Sequence, residues 1–535
     1  MGNWYGKWGK SNSDSVTDPV AAASPEAGLQ SVAEAEQPLS ADLDANLQYL
    51  KLRFKDCSDV VFRNVVVEYD VRATVIFVDG LVNTDQISDH ALRPLLYDAV
   101  NARPDNMPDP PPLEETQISL SQVSRASNYN DVIRDIMGGN AALFIDGYAE
   151  AIILSVPGGE RRGVSDPTTE NVIRGPREGF TDALRPNTAL VRARLRTPAL
   201  KMVPFVIGEK TNTNVVLAYM DGLADPAVIE EATKRLHAIK LDGILESGYI
   251  EEFIEDNPYS LFPQLQYTER PDSIAAHLLE GRFAIFTEGT PFVLVAPTVI
   301  WQLFQASEDY YERYHITNFI RWLRYIFGFI ALFLPSIYIA TTTFHHDMLP
   351  TTLTLSIAAA REAIPFPALV EALIMEISFE ALREAGIRLP KAVGAALSIL
   401  GALVIGQSAV EAGIVSAPMV MVVAVTGIAS FAIPKFNLAI SIRLLRFPMM
   451  FLAGLFGLYG MVLGTVMLMA HLCSLRSFGV PYLAGLAPYK REARDDILAR
   501  VPWWDMEKRP ASISRRNRRR LSEARKPRPD PTRKW

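Results

Sequence analysis

Four long runs of apolar residues constrain this chain more than any other feature of its sequence. Each run lacks Asp, Glu, Lys and Arg, and the four lie at residues 325–344, 392–410, 412–434 and 447–470. At about 1.5 Å per residue in a helix, each is long enough to cross a hydrocarbon core of roughly 30 Å. The sequence therefore predicts an all-α, multi-pass transmembrane domain at about 321–475.

A basic end follows an acidic body. The 535 residues carry a formal net charge of −7, whereas residues 508–535 hold twelve Lys and Arg against two acids, which leaves −17 on the rest. We expect 508–535 to be a disordered tail that binds anionic membrane lipid. Nucleic acid is the less favoured partner, because Trp535 is the only aromatic residue of the tail and no nucleic-acid-binding signature precedes it.

The residues before the apolar runs are typical of a soluble region. Residues 1–45 are rich in Ser, Ala and acids without apolar periodicity, which indicates a disordered arm. Short strand and helix patterns then mix, and they predict an α+β soluble region of two small subdomains at 46–185 and 186–315. A polar C-terminal segment at 476–507 follows the membrane domain.

One pattern repeats three times in the soluble region. An apolar run ends in an acidic residue and a glycine at Gly80, Gly147 and Gly289. Such pairs favour hairpin turns, because glycine adopts the positive φ that these turns need. The spacing predicts a doubled α/β unit. Two helices are predicted between the copies, one capped by Asp225 and one by Ser247.

Charged residues interrupt the apolar segment at 349–390. Glu376, Glu380, Arg383 and Glu384 follow one another at i, i+4, i+7 and i+8, so they share one face of a helix. Two interpretations remain open. The helix lies at the membrane interface, or its carboxylates line a water-filled vestibule or pore mouth, because charges at a bilayer centre need water or partners.

Polar residues also follow the second apolar run. Ser398, Gln407 and Ser408 lie near a stripe of small residues that ends at Glu411. The stripe is compatible with close helix packing. It is equally compatible with a pore, in which Glu411 would become a ring of carboxylates that attracts cations. In the last run, the small residues Ala453, Gly457, Gly460 and Gly464 indicate helix packing alone.

The basic residues near the apolar runs predict which ends are cytoplasmic. Arg321 and Arg324 precede the first run, and the basic tail follows the last, so both ends are predicted on the cytoplasmic side. Four crossings satisfy both ends. They also place Lys435, Arg443 and Arg446 on the far side, which the same rule disfavours, and 349–390 is therefore treated as partly buried.

No catalytic, cofactor or metal site is predicted. Cys57 and Cys473 are too far apart in sequence to indicate a disulfide framework, and the glycines at 158–163 lack the Lys-Ser or Lys-Thr of a phosphate loop. Arg174, Arg177 and Glu178 form either an anion site or a tie between the subdomains. The tie is favoured, because Glu178 supplies an internal ionic partner.

Several long strings resemble the A subunit of spore germinant receptors, the GerA family. They run in family order and include RGPREGF from Arg174, LDGILESGYIEEFIEDNPYSLFPQLQYTERPD from Leu241, LLEGRFAIFTEGTPFVLVAPTV from Leu278, SEDYYERY from Ser307, FPALVEALIMEISFEALREAGIRLPK from Phe366 and VIGQSAVEAGIVSAPMVMVVAVTGIASF from Val404. Together they identify residues from about 50 to 490 as similar to that family.

The resemblance implies a function in the inner membrane of the bacterial spore. It implies partnership with a B subunit similar to amino-acid transporters and with a lipoprotein C subunit. It also implies self-association into a ligand-gated channel for monovalent cations that triggers germination. The alternatives are a membrane-anchored scaffold and an accessory channel of the stage V sporulation protein AF type, which shares the same motifs.

Overall fold

The computed structural model describes residues 37–67, 71–94, 120, 122–158, 166–167, 169–388, 406–489 and 495–520. Most of the expected arm at 1–45, most of the expected crossing at 392–410 with its candidate Ser398, and the tail beyond 520 lie outside the described residues.

The first soluble unit is a five-stranded antiparallel sheet in the order β1-β2-β4-β5-β3. Its strands are β1 (Val60–Val67), β2 (Val71–Val78), β3 (Val123–Ala126), β4 (Ala141–Ile145) and β5 (Ala151–Leu154). Its helices are α1 (Leu43–Arg53), α2 (Thr84–Gln86, continued by a π-helical turn at Ile87–Leu92) and α3 (Tyr129–Gly138). Separate apolar clusters cover the two faces of the sheet, so β4 and β5 are buried at every position.

The second soluble unit repeats this strand order as β6-β7-β9-β10-β8, which is what a doubled unit requires. Its strands are β6 (Leu200–Ile207), β7 (Thr213–Met220), β8 (Gln266–Thr268), β9 (Phe283–Thr287) and β10 (Val293–Ala296). Its helices are α4 (Leu184–Arg194), α5 (Pro226–Ala238), α6 (Ser247–Ile254), α7 (Pro271–Leu279) and α8 (Ile300–Leu303). Because Val191 of α4 and Leu195, which follows the helix, belong to the core of this sheet, α4 packs with the second unit.

Two of the three predicted hairpin turns are hairpins. Gly147 and Gly289 have φ of +89° and +88° and join β4 to β5 and β9 to β10. Gly80 also has a positive φ, but β2 pairs with β1 and β4, and the turn leads into α2 instead of a partner strand. A local turn signal does not specify which strand follows it, since pairing depends on distant residues.

One of the two predicted helix caps is confirmed, and the other lies one residue earlier than predicted. Asp225 caps α5 as predicted, because its side chain accepts a hydrogen bond from the Ala227 N–H. The cap of α6 is Glu246 and not Ser247, with the Glu246 carboxylate accepting from the Gly248 N–H at 2.6 Å. The predicted cap is therefore one residue too late.

The second half of the described chain is helical. Its helices are α9 (Tyr314–Thr343), α10 (Thr351–Arg361), α11 (Ala368–Arg388), α12 (Gly406–Glu411), α13 (Ala417–Phe431) and α14 (Phe436–Ser474). By length and composition, α9 and α14 are the two described helices long and apolar enough to cross a membrane. The 412–434 run forms α13, which is shorter at 15 residues.

The helix α14 is a hairpin and not a straight rod. Gly457 interrupts it with φ +60° and ψ −143°. A Cβ at Gly464 would lie 2.6 Å from Met449 Sδ, although these residues would be about 22 Å apart along a continuous helix. Ser441 and His471 contact the neighbouring residues Leu261 and Ser260. The two arms of α14 therefore run antiparallel, and both outer ends reach the second soluble unit.

The hairpin changes the predicted arrangement of the basic residues. Lys435, at the start of α14, binds Glu170 of the soluble region at 2.5 Å, so its expected position on the far side is wrong. The far end of the bundle instead holds Gly457 against Phe344 and His345 at the end of α9. The sequence could not reveal this reversal, because an apolar run has the same composition whether it continues or turns back.

The C-terminal segment folds back onto the second unit. Phe478, next to the β-bridge pair β11 (Arg476–Ser477) and β12 (Val480–Pro481), packs on Phe283 with ring centroids 4.9 Å apart. Residues 508–520 also lie on this unit, where Ser514 is fully buried and Arg509 donates to the Leu279 carbonyl. These residues therefore differ from the expected disordered tail, because backbone and apolar contacts hold them in place.

Candidate functional site

The candidate carboxylates of α11 are paired with arginines. Glu376 is 3% exposed, and its carboxylate lies 2.5 Å from the guanidinium of Arg446 on α14. Glu380 pairs with Arg383 on its own helix and lies 3.8 Å from Arg443 on α14. These pairs give each of the two carboxylates an arginine partner where the helices pack, while the Glu380 side chain stays 42% exposed.

Glu384 is placed differently from its neighbours. It is part of the exposed end of α11, where Arg388 binds its carboxylate at 2.6 Å in an i, i+4 pair. Exposed pairs of this spacing contribute about 0.3–0.5 kcal/mol. Glu384 is thus solvated and also neutralised by a close partner.

Sequence reasoning missed a buried carboxylate at the other end of α11. Glu371 is fully buried and accepts hydrogen bonds from the Ser416 N–H and hydroxyl at 3.1 and 2.8 Å, and Arg361 binds its second oxygen at 3.0 Å. Ser416 also caps α13. Glu371 therefore joins α10, α11 and α13. The only signal was its place as an isolated acid at the start of an apolar helix.

The polar residues of α12 remain exposed. Gln407, Ser408 and Glu411 are all solvent-accessible in this chain, and Gln407 donates to the Glu411 carboxylate at 2.8 Å. No arginine or lysine is paired with Glu411 among the described residues. Of the carboxylates predicted from the sequence, Glu411 is therefore the one without a basic partner among the described residues.

Two of the three residues of the predicted tie make ion pairs. Arg174 lies 3.9 Å from Glu312, and Glu178 binds Arg194 at 2.5 Å, so both residues pair with partners within the predicted second subdomain, 186–315. Arg177 is exposed. A buried pair between Asp59, before β1, and Arg192 of α4 also joins the two units.

Helix α6 carries acids beside the helical region. Burial, followed by the nearby carboxylates of Glu255 and Glu246, raises the pKa of Glu251 to about 8. The same surface reaches α14, because Ser260 lies 2.9 Å from His471 Nε2. Glu251 therefore keeps its proton to a higher pH than a solvent-exposed glutamate does.

The Glu251→Gln variant is expected to remove a pH dependence of stability. Between pH 4.5 and about 8 the folded chain holds a proton that the unfolded chain has lost, so the free energy of unfolding falls as pH rises. Gln imitates the protonated acid. Near pH 8 the free energy of unfolding of the variant should therefore exceed that of the native chain by ~1–2 kcal/mol. Thermal unfolding from pH 5 to 9 measures this. Glu252→Gln, at an exposed neighbour, is the control; parallel curves for all three proteins contradict the prediction.

The model of the Bacillus/Clostridium GerA spore germination protein family matches residues 48–512. The "Uncharacterized membrane protein YfkQ" of Bacillus subtilis (strain 168) is 58% identical, covering 90% of this chain and 93% of the relative. "Spore germination protein KA" of the same organism is 46% identical over 93% of this chain and 91% of that protein. Among solved structures, this chain is similar to the N-terminal domain of the A subunit of the Bacillus megaterium spore germinant receptor GerK3, a crystal structure. The two sequences are 32% identical, and the match covers 50% of this chain and 99% of that domain with a TM-score of 0.38.

Proposed function

The chain belongs to the GerA family of spore germination proteins, and we propose that it is the A subunit of a nutrient-germinant receptor in the spore inner membrane. In this proposal several copies form a ligand-gated channel for cations, and its opening triggers germination. One observation carries the proposal. Of the candidate carboxylates, Glu376, Glu380 and Glu384 are paired with arginines, whereas the exposed Glu411, on a short polar helix, has no basic partner among the described residues.

The outer surface of the helical region supports its place in a membrane. Large apolar side chains are exposed along α9, α13 and α14, including Phe329, Met421, Ile428, Leu455 and Val466. Soluble monomers rarely expose so much contiguous apolar surface. Lipid would cover these side chains, whereas the internal pairs, such as Glu376 with Arg446, avoid the cost of an unpaired charge.

The helix directions support an even number of passes. Glu376 and Glu380 meet Arg446 and Arg443 in reverse order, so α11 and the first arm of α14 are antiparallel. Because α9 begins and α14 ends beside the second soluble unit, this favours an even number of passes. The N-terminal soluble region and the C-terminal tail then share one side, which we assign as cytoplasmic because of the basic tail.

The pore is assigned to α12 and the run before it. Gln407, Ser408 and Glu411 are exposed in one copy, and Ser398 precedes them in sequence. Assembly around an axis would gather these polar groups into rings, and a ring of carboxylates attracts monovalent cations. The arginine pairs of Glu376, Glu380 and Glu384 favour a packing role for those three carboxylates.

Partners follow from the family assignment. We propose that the chain works with a transporter-like B subunit and a lipoprotein C subunit, and that the basic tail binds anionic lipid. Neither nucleic acid nor a cofactor has a role in this proposal. A membrane-anchored scaffold and an accessory channel that amplifies ion release remain the competing functions.

The Glu411→Gln variant is expected to slow germination-linked potassium release at least several-fold, because it removes the charge of the proposed ring while keeping the shape of the side chain. Potassium efflux from spores carrying each variant measures the effect, with the amount of protein checked by immunoblot. Glu384→Gln is the matched control, since Arg388 already neutralises that carboxylate. Gln407→Leu should act in the same direction as Glu411→Gln.

Unchanged release in both the Glu411 and the Gln407 variants would contradict the pore assignment. The purified chain should also carry a cation current in planar bilayers. Absence of any current, together with normal assembly with partner subunits, would favour the scaffold.

A further inference from the structure

A cavity of about 550 Å³ lies between the second soluble unit and the C-terminal segment that folds over it. One wall comes from the end of the second sheet and α8, and includes Arg282, Val299 and Gln302. The other comes from residues 505–513 and Arg520. The volume is within the range of small-molecule sites in proteins.

Buried polar groups without partners line this cavity. Arg282 is 3% exposed, and its Nε has a long contact of 3.5 Å with the Glu280 carboxylate. Gln302 is 4% exposed, and its Oε1 has no hydrogen-bond partner among the described residues. The same is true of Trp301 Nε1 and Arg520 Nε. A buried donor without a partner costs about 1–3 kcal/mol, so the unpaired N–H groups of Trp301 and Arg520 indicate that an acceptor is missing from this space.

The charge of the inner wall is positive. Arg282, Arg509 and Arg520, here named the arginine wall, surround Glu280, which lies 3.0 Å from Arg520 and 3.5 Å from Arg282. Arg509 instead donates to the carbonyls of Leu279 and Arg519. Burial and then the charge of Arg520 lower the pKa of Arg509. One carboxylate is thus shared by two guanidinium groups, and a third guanidinium, that of Arg509, lies on the same wall.

The other described acids that line the cavity do not pair with the arginine wall. Asp496 already accepts from the Tyr310 hydroxyl at 2.8 Å and pairs with Arg321 at 3.2 Å. Asp495 is half-buried, and Asp505 and Glu507 are exposed to solvent beside Lys508. The buried part of the cavity therefore keeps an excess of N–H donors.

We propose that this cavity binds a small soluble molecule that carries a carboxylate or phosphate group. Its anionic oxygens accept hydrogen bonds from the arginine wall, since guanidinium groups match the geometry of both anions. Its apolar part packs on Val299, Met506 and Ile513. One wall belongs to residues 505–520, which follow the helical region. The bound molecule therefore stabilises the contact of these residues with the second soluble unit. The site is separate from α12, so binding can be measured without cation conduction.

The purified full chain in detergent is titrated with inorganic phosphate and, separately, with glutarate, by calorimetry and thermal unfolding. At least one probe should bind and raise the midpoint of unfolding as its concentration increases. The Arg520→Gln variant should weaken binding about tenfold or more, because it removes a charge-assisted donor. Arg515→Gln is the matched control, since Arg515 is exposed on the same segment and outside the cavity. It should bind within about twofold of the native chain.

A second measurement needs no variant. Phenylglyoxal modifies accessible arginines, and peptide mass spectrometry of the native chain should show that the bound probe protects Arg509 and Arg520 but not Arg515 or Arg516. Binding of neither probe, equal protection at all four arginines, or equal loss of affinity in the two variants would overturn the proposal. So would competition by phosphatidylglycerol alone, which would identify a lipid headgroup as the occupant.

Discussion

The Arg192→Ala variant should destabilise the soluble region by about 3–5 kcal/mol. Arg192 is fully buried, and its Nε and Nη2 donate to the two oxygens of Asp59 at 2.6 and 2.8 Å. It also donates to the carbonyls of Thr197 and Leu200. Removing the guanidinium leaves the 2% exposed Asp59 without its ionic partner in a low-dielectric interior.

Hydrogen exchange of the full chain in detergent measures this effect peptide by peptide. Exchange should accelerate at the contact between the two units, around residues 55–62 and 186–205, because their opening free energy falls. Arg185→Ala is the control, since Arg185 lies 3.5 Å from Asp79 in an exposed pair of the same kind. Such pairs contribute about 0–1 kcal/mol.

The double variant Asp59→Leu with Arg192→Met separates the cause. If the unpaired buried charge causes the loss of stability in Arg192→Ala, apolar residues at both positions should restore most of that stability. Destabilisation in the double variant equal to the sum of the single losses, or no acceleration of exchange in Arg192→Ala, would contradict this account of the junction.

The Gly457→Ala variant should destabilise the helical region by about 2–5 kcal/mol. Gly457 has φ +60° and ψ −143°, which side chains disfavour, and a Cβ there would lie 2.7 Å from the His345 ring and 3.1 Å from Phe344 Cβ. The two arms of α14 then cannot both keep their contacts with the second soluble unit.

Thermal unfolding of the purified chain in detergent measures the loss, and the yield of folded protein should fall with it. Gly406→Ala is the matched control, because Gly406 is helical and its added Cβ would make an ordinary contact of 3.8 Å with Val420. That variant should be neutral or slightly more stable. A Gly457→Ala variant as stable as Gly406→Ala would mean that α14 does not turn at this residue.

Local sequence patterns predicted the soluble fold well where they carry their own geometry. Gly147 and Gly289 mark true hairpins, and Asp225 caps α5, because these outcomes depend on a few neighbouring residues. Gly80 shows the limit. Its turn forms, but the following chain becomes α2, since strand pairing is decided by distant contacts.

The candidate site was predicted only in part. The sequence indicated that Glu376 and Glu380 share a helix face, and it could not show that Arg446 and Arg443 from a helix about 65 residues away would meet them. The small residues of the last run were predicted to pack. Gly464 does lie against Met449, but Gly457 is the turn that makes this contact possible.

The sequence by itself determined the division into an acidic soluble part, an apolar helical part and a basic end, and its long strings already resembled the GerA family. Composition and short periodic patterns suffice for this division, because burial in a sheet or a membrane selects apolar residues whatever the tertiary arrangement of the chain. Only the tertiary structure decided that α14 reverses, that the carboxylates of α11 are paired, and that residues 508–520 close a cavity. Those features depend on contacts between residues far apart in the chain, and such contacts leave no local pattern.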